Sequence, residues 1–116
     1  MTYYPVDSVH TLIYNIFVDM KGLRFDTKKN EWLKNKRNIT FIEIIDVIDK
    51  GNRLIIINHP NKTKYPKQKL YLVEINKYIL VVPVIEEGDY IFMKTIYPSH
   101  KYTKKYVKNY KLSKKI

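Results

Sequence analysis

Two segments of this chain carry side chains that can transfer protons and bind phosphate. Residues 59–68, His-Pro-Asn-Lys-Thr-Lys-Tyr-Pro-Lys-Gln, offer an imidazole, several ammonium groups, a phenol and an amide. Residues 98–106, Pro-Ser-His-Lys-Tyr-Thr-Lys-Lys-Tyr, follow a β-type run and place a second imidazole among lysines. Cleavage of a phosphodiester beside a 2′-hydroxyl requires a base, an acid and cations that stabilise the charge developing at phosphorus. Together the two segments contain a candidate for each role.

We predict six catalytic candidates, which share a titratable or hydroxyl-bearing side chain: Lys94, Ser99, His100, Lys101, His59 and Tyr65. Lys94, His100 and Lys101 would surround the phosphate. His59 or His100 would transfer the protons, because an unperturbed imidazole titrates near neutral pH. The remaining two would position the substrate.

These candidates also have structural explanations. His59 precedes Pro60, so a turn with a locally satisfied imidazole explains it as well as catalysis does. For His100 we favour function, because it lies in the densest cationic segment. Lys94 and His100 are six residues apart and would share a face of an unbroken strand, although Pro98 is expected to end regular pairing between them.

The positive charge of the chain is concentrated near its C-terminus. The formal net charge is +11, with eight lysines and no acid from residue 94 on, whereas residues 1–20 contain two acids and no Lys or Arg. Such a concentration of cations beside a hydrophobic strand predicts a polyanionic partner, and nucleic acid is the commonest one. An anionic membrane surface also fits the net charge. The residues predicted to bind nucleic acid, cationic except for one stacking tyrosine, are Lys64, Tyr102, Lys104, Lys105 and Lys108.

Several classes of function are excluded by composition. The chain has no cysteine, which rules out disulfides, thiolate nucleophiles and cysteine-based zinc sites. His10, His59 and His100 are far apart in the sequence, so no metal site is predicted. With three glycines and no glycine-rich phosphate loop, no nucleotide cofactor is expected. Because the longest apolar runs are strand-sized, we expect no membrane span and a cytoplasmic protein.

The first half of the chain is predicted to be helical. Residues 1–22 carry apolar residues at helical spacing, namely Val9, Leu12, Ile13, Ile16, Phe17 and Met20, and Gly22 would end that helix. Residues 23–26 can form a short strand, after which Asp26 and Thr27 would cap a charged helix over residues 28–37, with Trp32 in the core. Thr40 and Glu43 form a capping-box pattern before a further helix that ends at Gly51.

The second half is predicted to be a sheet. Four strands are predicted at residues 54–58, 69–75, 78–85 and 90–99. The links at residues 76–77 and 86–89 are hairpin-length, so these strands would pair antiparallel in sequence order. Pro83 cannot donate to a ladder and predicts a bulge or an edge there. A last helix over residues 103–112 would turn Tyr106, Val107 and Tyr110 inward. The fold class is therefore α+β: N-terminal helices on a four-stranded antiparallel sheet, with a C-terminal helix.

A series of short motifs runs along the chain, each present once. They are Phe-Asp at 25–26, Asn-Glu-Trp-Leu at 30–33, Ile-Thr-Phe at 39–41, His-Pro-Asn at 59–61, Lys-Tyr-Pro at 64–66, Gln-Lys at 68–69, Val-Glu-Ile at 73–75, Val-Pro at 82–83, Glu-Glu at 86–87, Phe-Met-Lys-Thr at 92–95 and Pro-Ser-His-Lys-Tyr-Thr-Lys-Lys-Tyr at 98–106. This series resembles small BrnT-like toxins of bacterial type II toxin-antitoxin systems, which are similar in fold to RelE-type ribonucleases. The resemblance covers about four-fifths of the chain. It implies a toxin domain at residues 23–116. Residues 1–22 would be an N-terminal helical extension outside the resemblance.

The resemblance implies a metal-independent endoribonuclease that inhibits translation, with no cofactor. Its partners would be RNA, with messenger RNA on or off the ribosome as the target, and a cognate antitoxin protein. The closing segment of the family reads Ser-Arg-Lys-Ala-Thr-Lys-Lys, and His100 stands where that pattern has arginine. The substitution exchanges a permanent cation for a titratable one.

Two other functions fit the same residues. One is a non-catalytic basic module that binds nucleic acid, for which steep salt dependence without cleavage products would be diagnostic. The other is an interaction protein whose basic face docks an acidic partner. The sequence alone does not determine the oligomeric state.

Overall fold

The computed structural model describes residues 22–108 and the backbone of residues 16–18. In chain order the elements are β1 (Ile16–Val18), β2 (Leu23–Asp26), α1 (Thr27–Arg37), α2 (Phe41–Asp49), β3 (Leu54–Asn58), β4 (Gln68–Ile75), β5 (Tyr78–Glu87), β6 (Tyr90–Met93), β7 (Tyr97–Pro98) and α3 (His100–Tyr106). The predicted α+β class is confirmed. None of the helices among the described residues is long and apolar enough to span a membrane.

The sheet is larger than predicted and mixed. Its strands follow the order β1-β2-β6-β5-β4-β3, and β7 pairs with β5 beyond the end of β6. Strands β3, β4, β5 and β6 are antiparallel neighbours as predicted, but β2 lies parallel to β6. The four-stranded antiparallel sheet was therefore wrong in size and in its outer pairing, because parallel pairing between segments distant in sequence leaves no hairpin signal.

The predicted fourth strand is interrupted opposite Pro83, as the missing donor indicated. The Lys94 N–H donates to the Pro83 carbonyl at 2.9 Å, so this side of Pro83 faces the last strand. The N–H and C=O of a strand residue point to the same side, and the bond that Pro83 cannot donate is therefore lost there. Regular pairing stops after β6 and resumes at β7, with residues 94–96 opposite only two residues of β5. The result is a β-bulge.

The sheet is covered on both faces. The first face packs under α1 and α2, where Leu33, Phe41 and Ile44 are fully buried. The second face packs under α3, where Ile79 and Val81 belong to a separate apolar cluster. The protein thus has two cores separated by one sheet.

Local sequence signals set the helix boundaries. The Asp26 carboxylate accepts a hydrogen bond from the Lys28 N–H at 2.8 Å and caps α1. Thr40 and Glu43 form the predicted capping box on α2: the hydroxyl accepts from the Glu43 N–H at 3.1 Å and the carboxylate accepts from the Thr40 N–H at 2.9 Å. Gly51 follows α2 with φ +94°, as predicted.

Two predicted helices require correction. Residues 16–18 form a strand, not a helix, because the Ile-Phe-Val sequence has high β propensity and pairs with β2; the rest of the predicted N-terminal helix lies outside the described residues. The last helix begins at His100 rather than at residue 103, because the Ser99 hydroxyl accepts from the Tyr102 N–H at 3.1 Å. It ends before Val107, which is extended, and residues 109–112 lie outside the described part of the chain.

Candidate nucleic-acid interface and catalytic residues

Helix α3 is fixed to the second face of the sheet by a buried threonine. Thr103 is fully buried; its hydroxyl accepts from the Ile79 N–H at 2.8 Å and donates to the Ser99 carbonyl at 2.6 Å. The Ser99 N–H donates to the Ile79 carbonyl at 3.0 Å. The start of the helix is thus bonded directly to β5, and its first exposed residues have a fixed backbone position.

The other end of α3 is held by an arginine that the sequence analysis missed. The Arg53 guanidinium donates to the Tyr106 carbonyl at 2.6 Å and to the Glu74 carboxylate at 3.4 Å. A cation at a helix C-terminus is favourable because the last carbonyls have no partner within the helix.

Five exposed basic residues follow this anchored start: His100, Lys101, Lys104 and Lys105 on α3 itself, and Lys108 two residues beyond its end. We call them the α3 basic face. The ion pairs seen in the described part of the chain, Lys50–Asp46, Arg53–Glu74 and Lys69–Glu86, use none of its lysines. The α3 basic face therefore presents positive charge with no acidic side chain of its own helix to offset it.

Tyr102 is not the exposed stacking residue that the sequence suggested. It is buried, in the same apolar cluster as Ile79 and Val81, with its ring centroid 6.2 Å from that of Tyr106. The reason is that α3 begins three residues early, which turns this position toward the sheet. Val107 is buried and Tyr106 partly buried, as predicted.

Tyr97 lies beside this cluster on β7 and was not a candidate in the sequence. Burial raises the pKa of its phenol above the ordinary value, and nearby Tyr102 raises it further. Tyr97 is consequently a neutral hydrogen-bond donor near pH 7 and is unsuited to act as a base.

The loop after β3 brings three predicted residues together. The His59 and Tyr65 ring centroids are 4.5 Å apart, and the Lys64 ammonium lies 5.3 Å from the Tyr65 ring. The His59 Nδ1 accepts from the Asn61 N–H at 3.0 Å, which places the proton of a neutral imidazole on Nε2. This local hydrogen bond fits the structural explanation of His59.

This loop and the α3 basic face lie at opposite ends of β5. The His59 N–H donates to the Gln68 carbonyl, and Gln68 pairs with Ile85. The start of α3 is bonded instead to Ile79. Six residues of strand separate the two attachment points, or about 20 Å at ~3.3 Å per residue. His59 and Tyr65 therefore do not join His100 around one phosphate, and the composite site fails because the strand register holds the segments apart.

Lys94 is exposed in the bulge between these two segments. The interruption removes the argument that Lys94 and His100 share a face of one unbroken strand. Its backbone is bonded to Pro83, four residues along β5 from Ile79, which corresponds to about 13 Å. A long lysine side chain can span part of that distance toward the start of α3.

The prediction that Trp32 lies in the core is wrong. Its side chain is 40% exposed on α1, while the adjacent Leu33 is fully buried. The Lys29 ammonium lies 4.1 Å from the indole centroid and the Arg37 guanidinium 5.1 Å from it. The surrounding lysines were the available signal, because a tryptophan inside a cationic helix can be covered by cations rather than by the core.

Within the described residues, no group of three or more His, Cys, Asp or Glu side chains is arranged to hold a metal ion. The comparisons with known proteins add no assignment: no family model matches the chain, and neither a curated protein nor a solved structure is significantly similar to it.

Proposed function

We propose that this protein is a metal-independent endoribonuclease, the toxin of a type II toxin-antitoxin pair, which holds RNA on the α3 basic face and cleaves it at His100. The observation that carries the proposal is the arrangement of that face, where an exposed imidazole begins a row of lysines. Single-stranded RNA offers both the negative charge that such a row attracts and the 2′-hydroxyl that an imidazole can deprotonate.

The chemistry uses one imidazole. His100 accepts the proton of the 2′-hydroxyl as the 2′-oxygen attacks phosphorus, and Lys101 stabilises the added negative charge. The bond from phosphorus to the 5′-oxygen then breaks, and the His100 imidazolium returns the proton to that oxygen. The products are a 2′,3′-cyclic phosphate and a free 5′-hydroxyl. Lys94 approaches from the bulge as a second cation, and Ser99 acts only as the cap that positions His100.

The remaining lysines bind the RNA backbone. Lys104, Lys105 and Lys108 continue the row away from His100, and Lys64 offers a separate cation at the far end of β5. An RNA strand several nucleotides long would contact both ends of the sheet. His59 and Tyr65 would then contact RNA away from the scissile phosphate.

The toxin part of the proposal is supported by the BrnT-like motif series and by the order of elements. A strand, two helices, antiparallel strands and a C-terminal helix follow one another from residue 23 on, in agreement with what the resemblance to RelE-type ribonucleases implies. The antitoxin would be an acidic protein that covers the α3 basic face in the cytoplasm.

A second candidate function, RNA binding without cleavage, is favoured by the distance between the loop and α3, because it leaves a single imidazole at the basic face. The two functions differ in one result. A catalytic protein releases 2′,3′-cyclic phosphate products from single-stranded RNA in the presence of EDTA, whereas a binding module shifts the mobility of the same RNA and leaves it intact.

Variants identify the reacting group. We expect His100→Ala with Lys101→Ala to abolish cleavage and growth arrest on expression, while His59→Ala retains most of the cleavage rate. Lys50→Ala is the matched control, because Lys50 is an exposed lysine that directly follows α2 and pairs with Asp46 at 2.9 Å. Cleavage that survives in the double variant would refute the site, and bound but intact RNA with the wild-type protein would refute the nuclease.

A further inference from the structure

The sole tryptophan of the chain, Trp32, is exposed on a helix rich in cations. Helix α1 reads Thr-Lys-Lys-Asn-Glu-Trp-Leu-Lys-Asn-Lys-Arg, with five cationic residues and one acid. The neighbouring Leu33 supplies the buried contact of the helix with the core. Since Leu33 supplies that contact and Trp32 is 40% exposed, the indole is available to a ligand.

The cations beside Trp32 connect it to the candidate cleavage segment. The Arg37 guanidinium, 5.1 Å from the indole centroid, also donates to the Ile96 carbonyl at 2.5 Å. Ile96 lies in the bulge segment, three residues before Ser99 and four before His100. Arg37 thus links the indole on α1 to the backbone that leads into α3, although the two helices pack on opposite faces of the sheet.

We infer that Trp32 is a stacking platform for an unpaired base of the bound RNA, an inference that rests on the proposed RNA binding. A planar indole accepts the face of any base, and Lys29 and Arg37 can pair with the flanking phosphates. This assigns to Trp32 a substrate-binding role that neither the motif series nor the charge distribution indicated.

Base stacking is strong enough to displace the cation that now lies near the ring. A stacked base is worth roughly 5- to 150-fold in affinity, whereas an exposed cation–π contact is worth about 2- to 5-fold. The Lys29 ammonium, 4.1 Å from the ring centroid, can therefore leave the ring for a phosphate when a base arrives. In this exchange the lysine gives up the ring and gains a phosphate as its partner.

RNA is favoured over a protein partner by the composition around the ring. A protein anchor site usually surrounds an exposed tryptophan with other apolar side chains. The two side chains that lie over the Trp32 ring are instead cations, Lys29 and Arg37. Among the described residues, the other large exposed apolar side chains, Ile42 and Ile56, belong to α2 and β3. An aromatic ring set among cations is the arrangement used for single-stranded nucleic acid.

Because Trp32 is the sole tryptophan, its fluorescence reports on this position alone. We propose to titrate the whole chain with an unstructured RNA oligonucleotide and with inorganic polyphosphate of similar charge, using the His100→Ala background to prevent cleavage. The expected result is strong quenching of Trp32 at saturation with RNA and little quenching with polyphosphate. Lys104→Ala with Lys105→Ala should weaken RNA binding and leave the quenching at saturation unchanged.

Affinity measured with a fluorescein-labelled oligonucleotide supplies the second readout. Trp32→Ala should weaken RNA binding about tenfold, Trp32→Phe should recover most of that loss, and Ile42→Ala should have no effect. Circular dichroism checks that each variant is folded. RNA that binds without quenching Trp32, or equal quenching by polyphosphate, overturns the stacking platform and leaves the proposed RNA binding intact. Absence of any RNA binding overturns both.

Discussion

The hydroxyl of Thr103 accepts a hydrogen bond from the backbone N–H of Ile79 at 2.8 Å, which fixes α3 to β5 in the interior of the protein. The same hydroxyl donates to the Ser99 carbonyl, so both of its bonding positions are used within a buried site. The position of His100 relative to the sheet therefore depends on a residue that has no contact with solvent.

The Thr103 hydroxyl should be essential for stability. Thr103→Val keeps the shape of the side chain but leaves the buried Ile79 N–H without its acceptor, which should lower the free energy of unfolding by about 1–3 kcal/mol. Urea denaturation measures this loss. Thr103→Ser, which retains the hydroxyl, is the control and should lose much less. Equal unfolding midpoints for Thr103→Val and the wild type would show that the bond does not anchor α3.

The α3 basic face should determine the salt dependence of RNA affinity. Each phosphate contact to single-stranded RNA contributes about 0.7 to the slope of log affinity against log salt, so replacing Lys104 and Lys105 with alanine should reduce the slope by roughly 1.4. The slope is measured from binding isotherms at several salt concentrations. Lys50→Ala should not change it, because that lysine follows α2 and is not part of the α3 basic face. An unchanged slope in the double variant would place the RNA elsewhere.

Two phenols should make the protein less stable at alkaline pH. Burial raises the pKa of Tyr71, and Glu86 adds to the shift; burial and Tyr102 raise the pKa of Tyr97. The folded state thus holds these protons more tightly than the unfolded chain does. The stability that this contributes is complete below the ordinary pKa of about 10 and is lost as the pH rises through the raised value.

Urea unfolding of Tyr71→Phe and Tyr97→Phe across this alkaline range tests the assignment. Each variant should lose less free energy of unfolding than the wild type between about pH 9 and pH 11, because it lacks one of the phenols that must ionise. Parallel curves for the wild type and both variants would contradict it.

Gly22 should be less tolerant of alanine than Gly51. Both have positive φ, +85° and +94°, so alanine is strained at either position, at a cost of about 1–2 kcal/mol. A Cβ at Gly22 would also lie 3.0 Å from the Asp89 carbonyl oxygen, whereas one at Gly51 meets nothing within 4 Å. The difference between the two variants in unfolding free energy isolates that contact. A smaller loss of unfolding free energy for the Gly22 variant would mean that the turn before β6 shifts to accommodate the added methyl group at little cost.

The parts of the fold that the sequence predicts well are those determined by neighbouring residues. The Asp26 cap, the Thr40 capping box and the bulge opposite Pro83 each depend on a side chain and a backbone group that are close in the chain or on a missing donor. The parallel pairing of β2 with β6 depends instead on segments more than sixty residues apart, for which the sequence carries no local pattern.

The candidate site also combines local features, which the sequence predicts, with long-range ones, which it does not. Lys104 and Lys105 are exposed on α3, as helical spacing predicted, whereas Lys108 lies beyond the end of the helix. The separation of His59 from His100 follows from the register of β4 and β5, which no local motif reports. Trp32 was misplaced because hydrophobicity alone indicates burial, and its exposure depends on Leu33 already filling the core position of α1.

The bulge opposite Pro83 has a consequence for every residue that follows it. Side chains alternate between the two faces of a strand, and Met93 points into the core under α1 and α2. If the alternation continued unbroken from Met93, Ile96 would point to the face of α3 and Tyr97 to the face of α1 and α2. Because three residues stand opposite two, the alternation is inverted: Ile96 enters the first core and Tyr97 packs against the second. Deleting Lys94 or Thr95 would leave two residues opposite two, so regular alternation alone would keep Ile96 and Tyr97 on the faces that they now occupy.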